Sequence, residues 1–223
     1  MAVKAFVSWS SGKDSACALA VAQRSGMAEI VGLLTTVNEA CDRVAMHGVR
    51  NNLLDRQIAS LGLPCVKVPL PHPCPMAAYE ARMAEASAIM KARGAGHVIF
   101  GDLFLEDVRS YREAQLAHVG MSGLFPLWGR ATRALAEAMI ADGFAAYIAC
   151  LDPKQLNRGF AGRRFDRSFL AALPMTVDPC GERGEFHTVV TAGPVFRTPI
   201  EVVVGQTVER DGFVFTDIIP CKN

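Results

Sequence analysis

The sequence is short of several things, and each shortage excludes a class of protein. It has no long apolar run: stretches such as Phe144 to Leu151 fall far below the roughly 20 residues that span a bilayer. The opening Met-Ala-Val-Lys-Ala-Phe-Val-Ser-Trp turns polar before it builds a secretory apolar region or a small-residue cleavage site, so a cytoplasmic protein with no membrane partner is expected. Neither sign of charge is in excess, with Lys+Arg 23 against Asp+Glu 22 and a net charge of +1. That is no electrostatic footprint for a nucleic acid. Paired cysteines are missing too. The 7 cysteines stand singly and none forms Cys-x-x-Cys, which leaves no visible zinc or dithiol site. They read as small apolar fillers in a reducing compartment. Disorder is excluded, since 51% of the 223 residues are hydrophobic. There is no internal repeat and no low-complexity segment.

What is present is an alternation of short apolar runs with helical patterns. Ala5 to Trp9 reads as a strand, and Asp14 to Arg24 as an Ala-rich helix ended by Gly26. Ile30 to Val37 is a second strand, Val49 to Leu61 a helix with Gly62 and Pro64 beyond it, and Cys65 to Val68 a short strand. After the stiff Pro71–Pro75 loop come a helix over Met76 to Arg93 and a strand over His97 to Phe100. Strands that are apolar throughout are covered on both faces, which predicts an α/β fold with a doubly wound, Rossmann-like parallel sheet. Ligands of such sheets lie outside the carboxyl ends of the strands, near the switch in strand order. Three segments are thereby singled out: Ser8 to Ser15, Thr35 to His47, and Gly101 to Arg112.

Beyond about residue 120 the pattern changes. One more helix (Arg130 to Asp142) and strand (Ala145 to Leu151) precede a basic stretch, Arg158 to Arg167. Phe160 and Phe165 there are expected to pack, with one or two arginines meeting an acidic substrate. Val202–Val204 and Phe213–Phe215 flank Asp211-Gly212, a strong hairpin signal. The length, roughly one and a half domains, then divides into 1–125 and a smaller α+β region, 126–223.

The segment after the first strand carries the chemistry. Backbone N–H groups at a helix N-terminus favour anions, and Gly12 lets the chain approach a phosphate closely. Lys13 adds charge, the hydroxyls of Ser10, Ser11 and Ser15 add donors, and Asp14 suits a Mg²⁺ that balances a polyphosphate. A Walker loop is excluded, because Asp14 follows Lys13 and Val7 stands five before Gly12.

Ser10-Ser11-Gly12-Lys13-Asp14-Ser15 resembles the Ser-Gly-Gly-x-Asp-Ser loop of the PP-loop, or N-type ATP pyrophosphatase, superfamily of the HUP fold, with Ser11 where the first glycine usually stands. Further matching segments are His47-Gly48-Val49-Arg50, Gly101-Asp102-Leu103, Tyr111-Arg112-Glu113, Pro126-Leu127-Trp128-Gly129, Gly162-Arg163, and Asp178-Pro179-Cys180-Gly181-Glu182-Arg183-Gly184-Glu185-Phe186-His187-Thr188. Together they resemble the diphthine–ammonia ligase (diphthamide synthetase) family from about residue 3 to 197, in forms most similar to its bacterial members. The resemblance implies ATP and Mg²⁺ as cofactors and ammonium as nitrogen source. A small or protein-borne carboxylate would be adenylated, with AMP and pyrophosphate released, and then amidated. The acid is left open, since bacterial elongation factors are not known to carry diphthine. A homodimer is compatible. It further implies that Ser8, Ser10, Ser11, Gly12, Lys13, Asp14, Ser15, Thr35 and Gly101 bind nucleotide.

For the remaining positions residue chemistry and resemblance run together. Glu185 and His187, two apart, are expected on one strand face, where a carboxylate beside an imidazole suits proton removal from ammonium. Lys13 and Asp14 join them as catalytic candidates, Asp14 also as metal ligand. His47, Arg50, Asp102, Arg112, Glu182 and Glu185 are the substrate-binding candidates, with a helix-start salt bridge as the alternative for Arg50 and a helix cap for Asp102. Other PP-loop enzymes, acting on another acid or on tRNA, and a non-catalytic nucleotide binder are the competing functions.

Overall fold

The computed structural model describes residues 2–40, 43–44 and 48–221. Strand β1 (Val3–Ser8) has no polar middle: Ala5, Phe6 and Val7 are all fully buried. Cover on both faces comes from the elements that follow it. These are α1 (Lys13–Ser25), β2 (Ala28–Asn38), β3 (Arg43–Val44), α2 (Asn51–Leu61), β4 (Cys65–Leu70), α3 (Met76–Ala92), β5 (His97–Ile99), α4 (Glu106–His118) and β6 (Ser122–Leu124). Helices α1 and α2 bury Leu19, Leu53 and Leu54 with Ala5 and Val7. On the opposite face Ala86 and Met90 of α3 and Leu116 of α4 pack with Phe6, Val68 and Phe100.

Strands β4, β2, β1, β5 and β6 pair in parallel in that spatial order. In chain order the parallel strands run 3-2-1-4-5, so the sheet is doubly wound and its order reverses at β1. The short β3 pairs antiparallel with Val37 and Asn38, beyond the last residue of β2 that pairs with β1. The two helices α1 and α2 stop at Gly26 and Gly62, both in the left-handed conformation.

The second half is antiparallel. After α5 (Thr132–Ala141), strands β7 (Ala145–Leu151), β8 (Phe186–Ala192), β9 (Val202–Arg210) and β10 (Phe213–Pro220) form a sheet in the order β8-β7-β10-β9. The β9–β10 hairpin turns through Asp211 and Gly212, whose φ angles of 51° and 79° are what a two-residue primed turn demands. Strand β6 and helix α6 are among the elements whose sequence signal is too weak to anticipate them. Strand β6 is only Ser-Gly-Leu and exists by pairing with β5. Helix α6 (Arg167–Ala172) lies at the end of the basic stretch, capped by Asp166, which accepts the Phe169 N–H at 2.8 Å. Phe160 and Phe165 of that stretch pack on Phe169 of α6, at 5.7 and 5.6 Å between ring centroids.

The halves share one core. Leu19 of α1 and Leu53 of α2 belong to the same apolar cluster as Ile148 of β7 and Phe186 and Val189 of β8. Strand β8 also reaches the loop after β1 directly, where the Val190 N–H donates to the Ser11 carbonyl at 2.9 Å. No helix among the described residues is long and apolar enough to cross a membrane.

Candidate functional site

Ser8, Trp9 and Ser10, at the switch point, form one wall of a cavity of about 990 Å³. Thr35 and Thr36 of β2 and Phe100 at the end of β5 continue that wall, and Tyr79, Met83, Tyr111 and Arg112 of α3 and α4 face it. The lining is largely apolar with a few polar groups, the composition of a pocket for a small molecule. Thr35 is 2% exposed and its hydroxyl has no hydrogen-bond partner, so one buried polar group stands at the cavity wall unsatisfied.

The loop is held from behind. Ser15 Oγ donates to the Gly12 carbonyl at 3.0 Å and lies 3.2 Å from Ser10 Oγ, which accepts the Gly12 N–H at 3.3 Å. The fully buried Gln57 of α2 donates to the carbonyls of Ser11 and Val190, at 3.1 and 2.7 Å, and accepts from Trp9 Nε1 at 3.1 Å. Ser11 has a φ of 68°, in the left-handed region that a glycine adopts freely, and its buried hydroxyl has no partner. Gly101, just past β5, is a glycine for a different reason. A Cβ there would lie 2.8 Å from the Asp14 carbonyl carbon and 2.9 Å from the Ser15 nitrogen.

Three carboxylates gather at this junction. Glu182 accepts the Leu103 N–H at 2.7 Å, and its pKa is pushed up to about 7, by burial first and then by the charges of Asp14 and Asp102. Burial likewise raises the Asp102 pKa, with the Asp14 charge adding to it, although Arg112 pulls the other way. Arg112 Nε lies 2.8 Å from Asp102 Oδ2, and its guanidinium sits 4.5 Å from the Phe100 ring centroid. Among the described residues no three carboxylate, imidazole or thiol groups converge as a ready-made metal site. Mg²⁺ rarely uses one, taking one or two carboxylates and completing its shell with water and phosphate oxygens. Carboxylate oxygens are the donors that Mg²⁺ takes, and Asp14, at the start of α1, is the residue that could hold one.

A diphthamide synthase N-terminal domain model matches residues 3–123, and a diphthamide synthase C-terminal domain model matches residues 131–219. The chain belongs to the diphthamide synthase family. A search of curated proteins gives no match. The match bears out the family that the sequence resembled, and the doubly wound sheet is the α/β class it implied.

Within this diphthamide synthase fold the expected site residues separate into groups. Ser8, Ser10, Thr35 and Arg112 line the cavity, while Ser11, Gly12, Ser15, Gly101 and Asp102 build the frame beside it. Lys13, expected to face a phosphate, turns the other way. Its side chain is 2% exposed, and its ammonium lies against Asp14 and the C-terminal half. Glu185 precedes β8, and its oxygens accept the N–H groups of Asp178 and Arg183 at 2.8 and 2.9 Å. These bonds fold the 178–185 loop back on itself. Phe186 and Thr188 both contact Lys13, so the alternation of β8 sends His187 to the opposite face. Arg50 takes the salt-bridge alternative: its Nε donates to Asp217 of β10 at 2.8 Å, and Arg43 joins the same carboxylate at 3.2 Å. His47 lies outside the described residues. Gln57 and the Cys180 carbonyl were not anticipated; a glutamine on a helix and a backbone oxygen carry no motif signal.

Proposed function

We propose that the chain is an AMP-forming ligase that adenylates a carboxylate with Mg²⁺-ATP and then amidates it with ammonia, as expected of a diphthine–ammonia ligase. The observation that carries this reading is the start of the loop after β1, whose Ser8, Trp9 and Ser10 line the 990 Å³ cavity at the switch point in a chain of the diphthamide synthase family. ATP would lie with its base against the β2 wall and its phosphates along Ser8, Ser10 and the N-terminus of α1, where the helix dipole favours anions. Asp14 would hold Mg²⁺, which would supply positive charge for the departing pyrophosphate. Arg112, fixed by Asp102 and Phe100 at the cavity wall, is placed to orient an anionic substrate. Glu182, whose pKa is raised to about 7 by burial and by its carboxylate neighbours, is the group assigned to take a proton from ammonium beside the acyl-adenylate.

The test is isotope exchange. Labelled pyrophosphate should enter ATP only when Mg²⁺ and the cognate acid are both present, and ammonium should not be required. Exchange that proceeds without any acid, or none with a panel of acids that includes diphthine on its carrier protein, would remove the adenylation step.

A further inference from the structure

Lys13 is the most completely buried charged residue of the loop, at 1% exposure, and neither it nor any of its partners named below is among the residues that line the cavity. Its Nζ donates to Asp14 at 2.9 and 3.0 Å and to the Cys180 carbonyl at 2.5 Å. It also sits over the rings of Phe165 and Phe186, 5.2 and 5.4 Å from their centroids. Its backbone N–H donates to Thr188 Oγ1 at 3.1 Å, across 175 positions of sequence. Cys180, Phe165, Phe186 and Thr188 all belong to the C-terminal half. A lysine caged by two aromatic faces, a carbonyl and a carboxylate has no donor turned toward a nucleotide.

We infer that Lys13 is a positioning residue: it fastens the 180–188 segment of the C-terminal half to the Asp14 carboxylate, and so holds the metal-binding carboxylate in place without touching the nucleotide. The inference rests on the reading of Asp14 as the Mg²⁺ ligand. It explains why a loop built for a polyanion spends its one cation elsewhere. The phosphates are left to hydroxyls, backbone N–H groups and metal, while the lysine ties the loop to the second half.

Charge and position predict opposite signs, which makes the inference testable. Removing a cation beside Asp14 would, by charge alone, tighten divalent binding. Removing the group that orients a metal ligand weakens it, typically by about 10–100-fold. The experiment compares wild type with Lys13→Met, of similar length and no charge. Mn²⁺ binding to the ATP-free protein is followed by electron paramagnetic resonance, and a fluorescent ATP analogue is bound in EDTA. Hydrogen exchange is read at the amides of 180–190. The expected results are weaker Mn²⁺ binding, unchanged metal-free nucleotide binding, and faster exchange across 180–190. Tighter Mn²⁺ binding, or a loss of metal-free nucleotide binding, overturns the inference; the second result would mean that Lys13 meets the phosphates. Should Lys13→Met fail to fold, Thr188→Val removes the other tie to Lys13, leaves the ammonium in place, and must shift Mn²⁺ affinity and exchange in the same directions. None of these readouts requires turnover, so a wild type that fails to exchange pyrophosphate would refute the ligase reading and leave the positioning role to be decided on its own.

Discussion

Ser11→Gly should make this protein more stable, and the gain can be worked out from the loop. Ser11 holds φ at 68°, and an L-residue in the left-handed region costs about 1–2 kcal/mol that glycine does not incur. Its hydroxyl is buried with no partner, and an unsatisfied buried polar group costs about 1–3 kcal/mol. Against this, glycine adds about 0.4–1 kcal/mol of chain entropy to the unfolded state. Loss of the small side chain's own packing, less than one buried CH₂ in apolar terms, removes about 0.8 kcal/mol at most. At the midpoints of these ranges the balance favours glycine by about 2 kcal/mol, equivalent to a rise in Tm of about 4–8 °C for a chain of this size. Thermal unfolding of the two proteins at matched concentration reads it directly. An unchanged or lower Tm would show that the hydroxyl has a partner the account lacks, or that the left-handed turn is not strained.

Other substitutions probe the same frame. Gly101→Ala should cost about 1–3 kcal/mol and depress ATP turnover, because its Cβ meets the Asp14–Ser15 backbone at 2.8–2.9 Å and that backbone has nowhere to move; normal turnover would mean that the loop and β5 are not in register. Gln57→Leu strips partners from Trp9 Nε1 and from the carbonyls of Ser11 and Val190. It should lower stability by about 3 kcal/mol in chemical denaturation, a loss below about 1 kcal/mol refuting the clamp. Glu182 gives a pH signature. Burial raises its pKa from 4.5 to about 7, so the folded state holds that proton more tightly than the unfolded chain does. Its stabilising contribution is therefore present below about pH 4.5 and lost as pH rises through about 7. Glu182→Gln, neutral throughout, should gain Tm relative to wild type between pH 5 and pH 8, and a difference that stays flat over this range would contradict the shift.

The first half of the molecule was legible because its signals are local. Apolar strands such as Ala5–Val7 and Leu33–Leu34, and helix stops at Gly26 and Gly62, each declare themselves within a few residues. Asp211-Gly212 declared the last hairpin in the same way. The PP-loop was legible as a motif, and so was its glycine-like second position, which the φ of Ser11 now explains. The direction in which each side chain points was not legible. Lys13 faces away from the cavity because Cys180 and two phenylalanines far along the chain enclose it. That the Glu185 carboxylate is spent on its own loop, just before β8 begins at Phe186, left no trace in the spacing of Glu185 and His187. Arg50 goes to Asp217, 167 residues away, a pairing with no local trace. Contacts of this kind are set by how the two sheets meet.

The central claim is cleavage of ATP between the α- and β-phosphates, driven by an acid and completed by ammonia. It is tested most directly by identifying the products. The enzyme is incubated with Mg²⁺-ATP, ammonium and the candidate acid, and the nucleotides are separated by chromatography while phosphorus resonance follows the phosphates. The account predicts AMP and pyrophosphate, formed in step with the amide. ADP and orthophosphate would contradict it.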